Sequence, residues 1–320
     1  MSENYVLGKT RTKQPKSTKN KRSNIFGGKH RNRTKRNKKM SCSPLVEGQT
    51  ADKSTCYTDK ILFEIRDAFN REHPTERIKS DTPKEVLNQL REKMSNSCNK
   101  EKCWLKLLSN QHQRVIDEFV FAPEKPIEWK NNPYEWLSNF DILKVLKQYE
   151  KKYRNFKFIG PTPIDFDARP ADEGGKCVWE DLCHFDLNEY ISRNFNKIGI
   201  IFNLQKHDKD GSHWVSLFID IENSFIFYFD SASNPTPKEI KVLIERIREQ
   251  SAEGGKEPYA YYENYPNNHQ RSNTECGMYS LYFIITMVEE NKSIKNKIKL
   301  FKERKIPDKK MRKLRDHYFS

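Results

Sequence analysis

The chain has 320 residues, 35% of them hydrophobic and 32% charged, with a net charge of +15. That length holds one large domain with extensions, or two domains. So polar a balance excludes a chain packed from end to end. The apolar run Leu281 to Val288 is far too short to span a bilayer, and the charged N-terminus lacks a signal-peptide core.

The charge is local. Residues 1–40 hold 14 Lys/Arg against one acid, Glu3, whereas the rest of the chain holds 45 Lys/Arg against 43 acids. With almost no apolar side chains to offset its ordering entropy, this stretch reads as a disordered basic tail over 1–50. Such a tail attracts DNA or another polyanion by counterion release, which makes residues 1–40 the expected contact. Seven cysteines, an odd number at loose spacings, fit a reducing compartment better than a disulfide framework.

Helical signals follow. Thr58 caps a segment with Ile61, Ile65, Ala68 and Phe69 on one face, and Thr82, Pro83 and Glu85 form a capping box ahead of Val86, Leu87, Leu90 and Met94. A short helix begins near Cys103. Residues 51–125 are therefore a helical N-terminal region, ended by the proline-rich "FAPEKPIEWKNNP". A second domain spans 126–320. Its first helix buries Ile142, Leu143, Leu146 and Tyr149. Strands are expected at 197–204, at 213–221 and over "SFIFYFD", the last two joined by the turn "ENS". Thr236, Pro237 and Glu239 repeat the capping box before Ile240, Leu243, Ile244 and Ile247, and "YAYYENYP" supplies a last strand. Strands and helices mix without a βαβ period, which makes the fold class α+β.

Cys276 stands where the polar loop "NHQRSNTE" enters the apolar helix "CGMYSLYFIITMV". A sulfur at that point sits in the positive end of a helix dipole, among amides that favour a thiolate and can hold an oxyanion. Gly277 lets another segment approach closely. A thiolate nucleophile needs a base, and the base needs an orienting group. His213 opens one strand and Asp230 ends the next. A hairpin folding back at about residue 222 brings the two together, as an Asp–imidazole pair requires. Cys98/Cys103 and Cys177/Cys183 with His184 lack the close pairs of zinc sites, and "QKHDKDGSHW" has too few ligands for a calcium loop. No metal or cofactor is expected.

The order His213-Trp214, then Phe229-Asp230-Ser231, then Gln270 with Cys276-Gly277 six residues on, resembles the SUMO-type and adenain-like cysteine proteases. "HQRSNTECGMYSL" is more similar still to the African swine fever virus type of maturation protease. The resemblance covers roughly 130–290 and implies a central mixed sheet flanked by helices. It implies Cys276 as nucleophile, His213 as base, Asp230 as orienter and Gln270 as oxyanion donor. The viral type carries Asn where Asp230 stands; the SUMO type carries Asp. Trp214 would line a narrow channel for the substrate main chain and Trp136 would close over it, admitting Gly-Gly before the cut. The implied function is endoproteolysis of viral structural precursors during virion maturation, in the virion and host cytoplasm. A deSUMOylating or deubiquitinating isopeptidase uses the same set, and a nucleic-acid-binding scaffold with a relic fold is the contrasting class. Gly-Gly-Lys occurs in this chain at 27–29, 174–176 and 254–256, and the first lies in the tail, where self-cleavage is expected.

Overall fold

The computed structural model describes residues 40–98, 100–171 and 174–320. Most of the basic tail, with its expected disorder and polyanion contact, lies outside the described residues. The helices are α1 (Asp59–Glu72), α2 (Pro83–Lys93), α3 (Asn110–Val120), α4 (Asn139–Lys152), α5 (Glu180–Cys183), α6 (Leu187–Ser192), α7 (Lys238–Ser251), α8 (Cys276–Val288), α9 (Ile294–Glu303) and α10 (Asp308–Tyr318). The strands are β1 (Phe156–Pro163), β2 (Lys197–Asn203), β3 (Trp214–Asp220), β4 (Phe225–Phe229) and β5 (Ala260–Glu263). No described helix is long and apolar enough to cross a membrane.

The five strands form one mixed sheet in the order β1-β2-β3-β4-β5. β2, β3 and β4 run antiparallel in sequence, while β1 and β5 pair parallel at the two edges. Every residue of β2, β3 and β4 is buried, because both faces are covered. Alternation sorts their side chains. Trp214, Phe218, Phe225, Phe227 and Phe229 face α4, α8, α9 and α10, whereas Val215, Leu217, Ile219, Ile226 and Tyr228 face α7 and the 164–190 segment. Strand β1 escapes the sequence reading because Gly160-Pro161 interrupts its pattern, and the ladder with β2 shifts there.

Helix α8 is the axis of the larger core, buried over its whole length. Its last carbonyls are covered by two buried lysines, a favourable pairing with the negative end of a helix. Lys297 donates to Met287 (2.9 Å) and to Glu289, and Lys197 reaches Val288 at 3.5 Å. Burial and the neighbouring Lys197 pull the Lys297 amine down to about 8.

The N-terminal helices build their own core around Tyr57, Leu62, Ile65, Leu90 and Trp104. This part begins earlier than the boundary at residue 51 implies. Val46 is buried in a 3-10 turn, Pro44–Val46, and Cys42 bridges Phe121, so residues 40–50 belong to the folded part. The cysteines also correct the sequence reading: Cys42–Cys56, Cys98–Cys103 and Cys177–Cys183 are disulfides, with Cα atoms 5.2, 6.0 and 6.2 Å apart. Turns and bridges bring together pairs whose spacing looks loose in sequence, and the odd cysteine left over is Cys276.

Both expected capping boxes differ. Thr82 makes no side-chain cap, and Ser80 bonds Glu85 instead. Thr236 turns to Glu263 at 2.8 Å, because the edge strand β5 offers a carboxylate there. A complete box occurs at Ser138 and Asp141, at the start of α4.

Gln148 of α4 joins the two cores, donating to the carbonyls of Glu118 (3.0 Å) and Phe121 (2.9 Å) at the end of α3. Gln148→Ala strands both acceptors and should cost about 2 kcal/mol, read as a lower urea midpoint at unchanged m-value.

Candidate active site

Cys276 is the first residue of α8, 2% exposed, and the one free thiol among the described residues. The first amides of α8 have no carbonyl ahead of them within the helix, and Cys276 stands at that end. Gly277 is required by packing. A β-carbon there would meet Leu137 Cβ at 3.1 Å and Trp214 Cδ1 at 3.2 Å.

His213 precedes β3, and its Nε2 lies 2.6 Å from Asp230 Oδ1, just past β4. The hairpin register pairs Ser216 with Phe229, which sets Val215 rather than His213 opposite Asp230. The difference from the expected register is two residues. An even shift keeps the same face, so the imidazole reaches the carboxylate diagonally. The Cys276 sulfur is the second group that acts on this imidazole. Burial alone pulls the imidazole down, but the hydrogen bonds to Asp230 and to the sulfur lift it to about 10.

Asp230 is fully buried and fully engaged. Its Oδ1 accepts from His213 and from the Ala232 amide (2.8 Å), and its Oδ2 from the Asn234 amide (2.9 Å) and side chain (2.8 Å). Burial pushes this carboxyl up, but His213 and those amides hold it below the usual carboxylate range. Asn264 grips the Asp230 backbone from both sides, at 2.8 Å each. Asn203 fixes the loop into His213, accepting from the amides of Gln205 (3.0 Å) and Ser212 (3.1 Å). Neither asparagine stands out in the sequence, because both act on backbone across the fold.

Gln270 is aimed by Ser231. The Gln270 amide donates to the Ser231 carbonyl at 2.8 Å, and the Ser231 hydroxyl donates to Gln270 Oε1 at 2.7 Å. Its Nε2 donates to Ser272, which leaves one amide hydrogen uncommitted. His269 beside it is buried and structural. Its Nδ1 accepts from the Ile306 amide and its Nε2 meets the Phe301 carbonyl at 2.9 Å, so the ring stays neutral. Asp308 closes the loop from α10, accepting from the amides of Arg271 and Ser272 and from Tyr279 of α8.

Trp214 is buried, with its ring nitrogen on the Leu137 carbonyl at 3.1 Å. Trp136 is half-buried. Both line one groove of about 1080 Å³ that also takes in Leu137, Asn203 and Gly211. His207 and Asp165 pair at 2.7 Å and pin the loop across from these tryptophans; it is a turn. Cys177, Cys183 and His184 do gather within 4.8 Å. Their two sulfurs are joined, and the Arg169 guanidinium lies 3.5 Å from Cys183 and 3.4 Å from His184, where a metal would add a second cation.

The residue before Cys276 carries the least expected interaction. Glu275 is fully buried, and its Oε2 takes the Arg315 guanidinium at 2.9–3.0 Å. Arg315 comes from α10, also donates to the carbonyls of Glu135 (2.8 Å) and Thr274 (3.1 Å), and stacks on Trp129 at 4.4 Å. One guanidinium therefore holds the approaches to both Cys276 and Trp136. Burial pushes the Glu275 carboxyl up while Arg315 pulls it back.

Sulfur, imidazole and carboxylate in sequence, with free amides at the sulfur, make the constellation of a thiol hydrolase. Residues 189–320 match the Ulp1 protease family, C-terminal catalytic domain. A protein of Acanthamoeba polyphaga mimivirus that bears the name "Putative thiol protease R355" is 30% identical over 262 residues, 74% of this chain and 81% of that protein. A cysteine protease of African swine fever virus is 28% identical over 250 residues, 74% of this chain and 88% of that protein. The crystal structure of the African swine fever virus protease superposes with a TM-score of 0.59 at 24% identity, covering 88% of this chain and 96% of that one, and so shares the fold. The chain belongs to the Ulp1 protease family and is a cysteine protease.

Two outcomes follow from this geometry. Arg315→Met leaves buried Glu275 with only the half-exposed Arg312, 3.6 Å from its Oε1, and should cost about 3 kcal/mol in chemical denaturation; adding Glu275→Gln should recover part of that loss. Asp230→Asn removes the strongest support for the raised imidazole. The alkaline limb of kcat/KM, expected near pH 10 because His213 keeps its proton until then, should move toward neutrality in the variant.

Proposed function

We propose that the protein is a viral endopeptidase that cleaves structural precursors after Gly-Gly during virion maturation. The observation that carries this reading is the single free thiol, seated on the tip of a buried helix and facing an imidazole that a buried carboxylate holds protonated.

The chemistry is acyl transfer. Cys276 Sγ attacks the carbonyl carbon of the second glycine. The oxygen that becomes negative is met by the Cys276 amide and the free hydrogen of Gln270 Nε2. His213 gives its proton to the departing amine, and the peptide C–N bond breaks. Water, activated by the imidazole, then hydrolyses the thioester and restores the thiol. Asp230 holds the ring in line throughout and stays ionised.

Specificity for glycine rests on the groove. Trp214 packs against Gly277 and Leu137 beside Cys276, and Trp136 lines the same groove, so in this reading the two indoles press on the substrate main chain and favour residues without side chains. The viral source of the relatives supports a role at the assembly site, in the virion and host cytoplasm. The basic residues 1–40 suit attachment to DNA there. An African swine fever virus relative bears the name SUMO-1 cysteine protease, so release of a ubiquitin-like modifier is the second reading.

A panel of Gly-Gly-X peptides and folded SUMO and ubiquitin conjugates, each treated with wild type and Cys276→Ala, separates the two. Peptide cleavage lost in the variant is the expected result. Cleavage of conjugates alone would replace the endopeptidase reading with the isopeptidase one.

A further inference from the structure

Two loops beside Cys276 are joined along a seam. The turn after β4 carries Asp230, and the loop before α8 carries Gln270. Asn264 exchanges two bonds with the Asp230 backbone, and the Asn268 side chain donates to the Ala232 carbonyl at 3.1 Å. The amides of His269 and Gln270 converge on the Ser231 carbonyl, at 3.0 and 2.8 Å. All of these bonds use backbone groups and asparagines, so the seam stands without any hydroxyl.

Within the turn the tasks are divided. The amides of Ala232 and Asn234, with the Asn234 side chain, serve the Asp230 carboxylate. Ser231 is 1% exposed, and its hydroxyl turns to Gln270 Oε1 at 2.7 Å, its one hydrogen bond among the described residues. The Gln270 amide is thus held by two groups of different kinds. The Ser272 carbonyl can only accept, so it decides which end of the amide carries the nitrogen. The Ser231 hydroxyl pins the oxygen end and decides where the amide stands. A glutamine has three rotatable bonds, and an amide tied at one end alone swings about that tie. Tied at both, it presents its second Nε2 hydrogen in one direction. Asp230 and Ser231 are neighbours, with Cα atoms about 3.8 Å apart. One steers the imidazole and the other steers Gln270, so a single backbone step links the two sides of the site.

We propose that Ser231 is a positioning residue of the reaction, whose hydroxyl holds the Gln270 amide where its free hydrogen meets the oxygen that becomes negative. For the role of Gln270 this rests on the reading above. No bond is made or broken at Ser231. The hydroxyl keeps its proton and acts only through the amide.

A double-mutant cycle on the full-length enzyme provides the test, with a Gly-Gly-Lys peptide as substrate, or a conjugate if only conjugates are cleaved. Ser231→Ala should lower kcat about tenfold to a hundredfold, with KM changed less than about twofold, which is part of what a whole oxyanion donor contributes. In a Gln270→Ala background the same substitution should alter kcat less than about twofold, because the hydroxyl has nothing left to aim. The alkaline limb of kcat/KM should stay at its wild-type position, since His213 and Asp230 keep their bonds. Ser231→Cys, a weaker donor of similar size, should fall between wild type and Ser231→Ala, and it carries the test if Ser231→Ala does not fold. Equal losses in both backgrounds, or a limb that moves, assign Ser231 to the support of the fold or of Asp230 and overturn the proposal. Wild-type kcat in Ser231→Ala beside a reduced kcat in Gln270→Ala overturns it too, and leaves the role of Gln270 intact. Undiminished activity in Gln270→Ala removes the role on which the proposal rests, while the cysteine protease assignment stands.

Discussion

The stack of phenylalanines between the sheet and helix α8 seats the helix that carries Cys276 against the strand that leads to Asp230. Phe283 lies 4.8 Å from Phe229 in a near-parallel stack and 5.2 Å from Phe227, and Phe301 closes the cluster at 4.9 Å. These rings bury large areas and lock in a few favoured geometries, so they fix the height of α8 above β4. Sulfur and imidazole come from elements that share no backbone hydrogen bond. Their meeting is a product of that packing. The hairpin contributes the imidazole and its carboxylate; the helix contributes the sulfur and the open amides.

Electrostatics at the two ends of α8 complete the arrangement. At the far end Lys297 and Lys197 cover the last carbonyls, and at the near end, where Cys276 begins the helix, the first amides have no carbonyl ahead of them within it. A buried ion pair, Glu275–Arg315, lies one residue before the sulfur. Such a pair is weak as a source of stability but strong as a constraint, because an unpaired member is costly to bury. Here it ties three chain segments at one point: the loop before Cys276, the loop before Trp136 and helix α10.

Much of this was legible in the sequence where the signal was local. The β2, β3 and β4 strands declare themselves by apolar density, and α8 by an unbroken apolar run. His213 and Asp230 could be paired from a hairpin alone, since a register wrong by two residues still leaves both on one face. The rest depended on distant segments. Strand β1 is hidden by Gly160-Pro161. Thr82 and Thr236 sit at helix starts in cap-like sequences, yet better acceptors and donors nearby draw their neighbourhoods into other bonds. The disulfide partners are set by turns that spacing does not reveal. Arg315, Asn203 and Asn264 look like ordinary surface residues until the fold delivers them to backbone groups around the site.

The position of Arg315 in the chain has a consequence for synthesis. His213, Asp230 and Cys276 all leave the ribosome before it, and the guanidinium that seats Glu275 and the Trp136 loop arrives only with α10. A nascent chain therefore carries its reactive sulfur for some time without the clamp that aligns it. The loops that carry Cys276 and Trp136 are thus tied to each other only once α10 has docked.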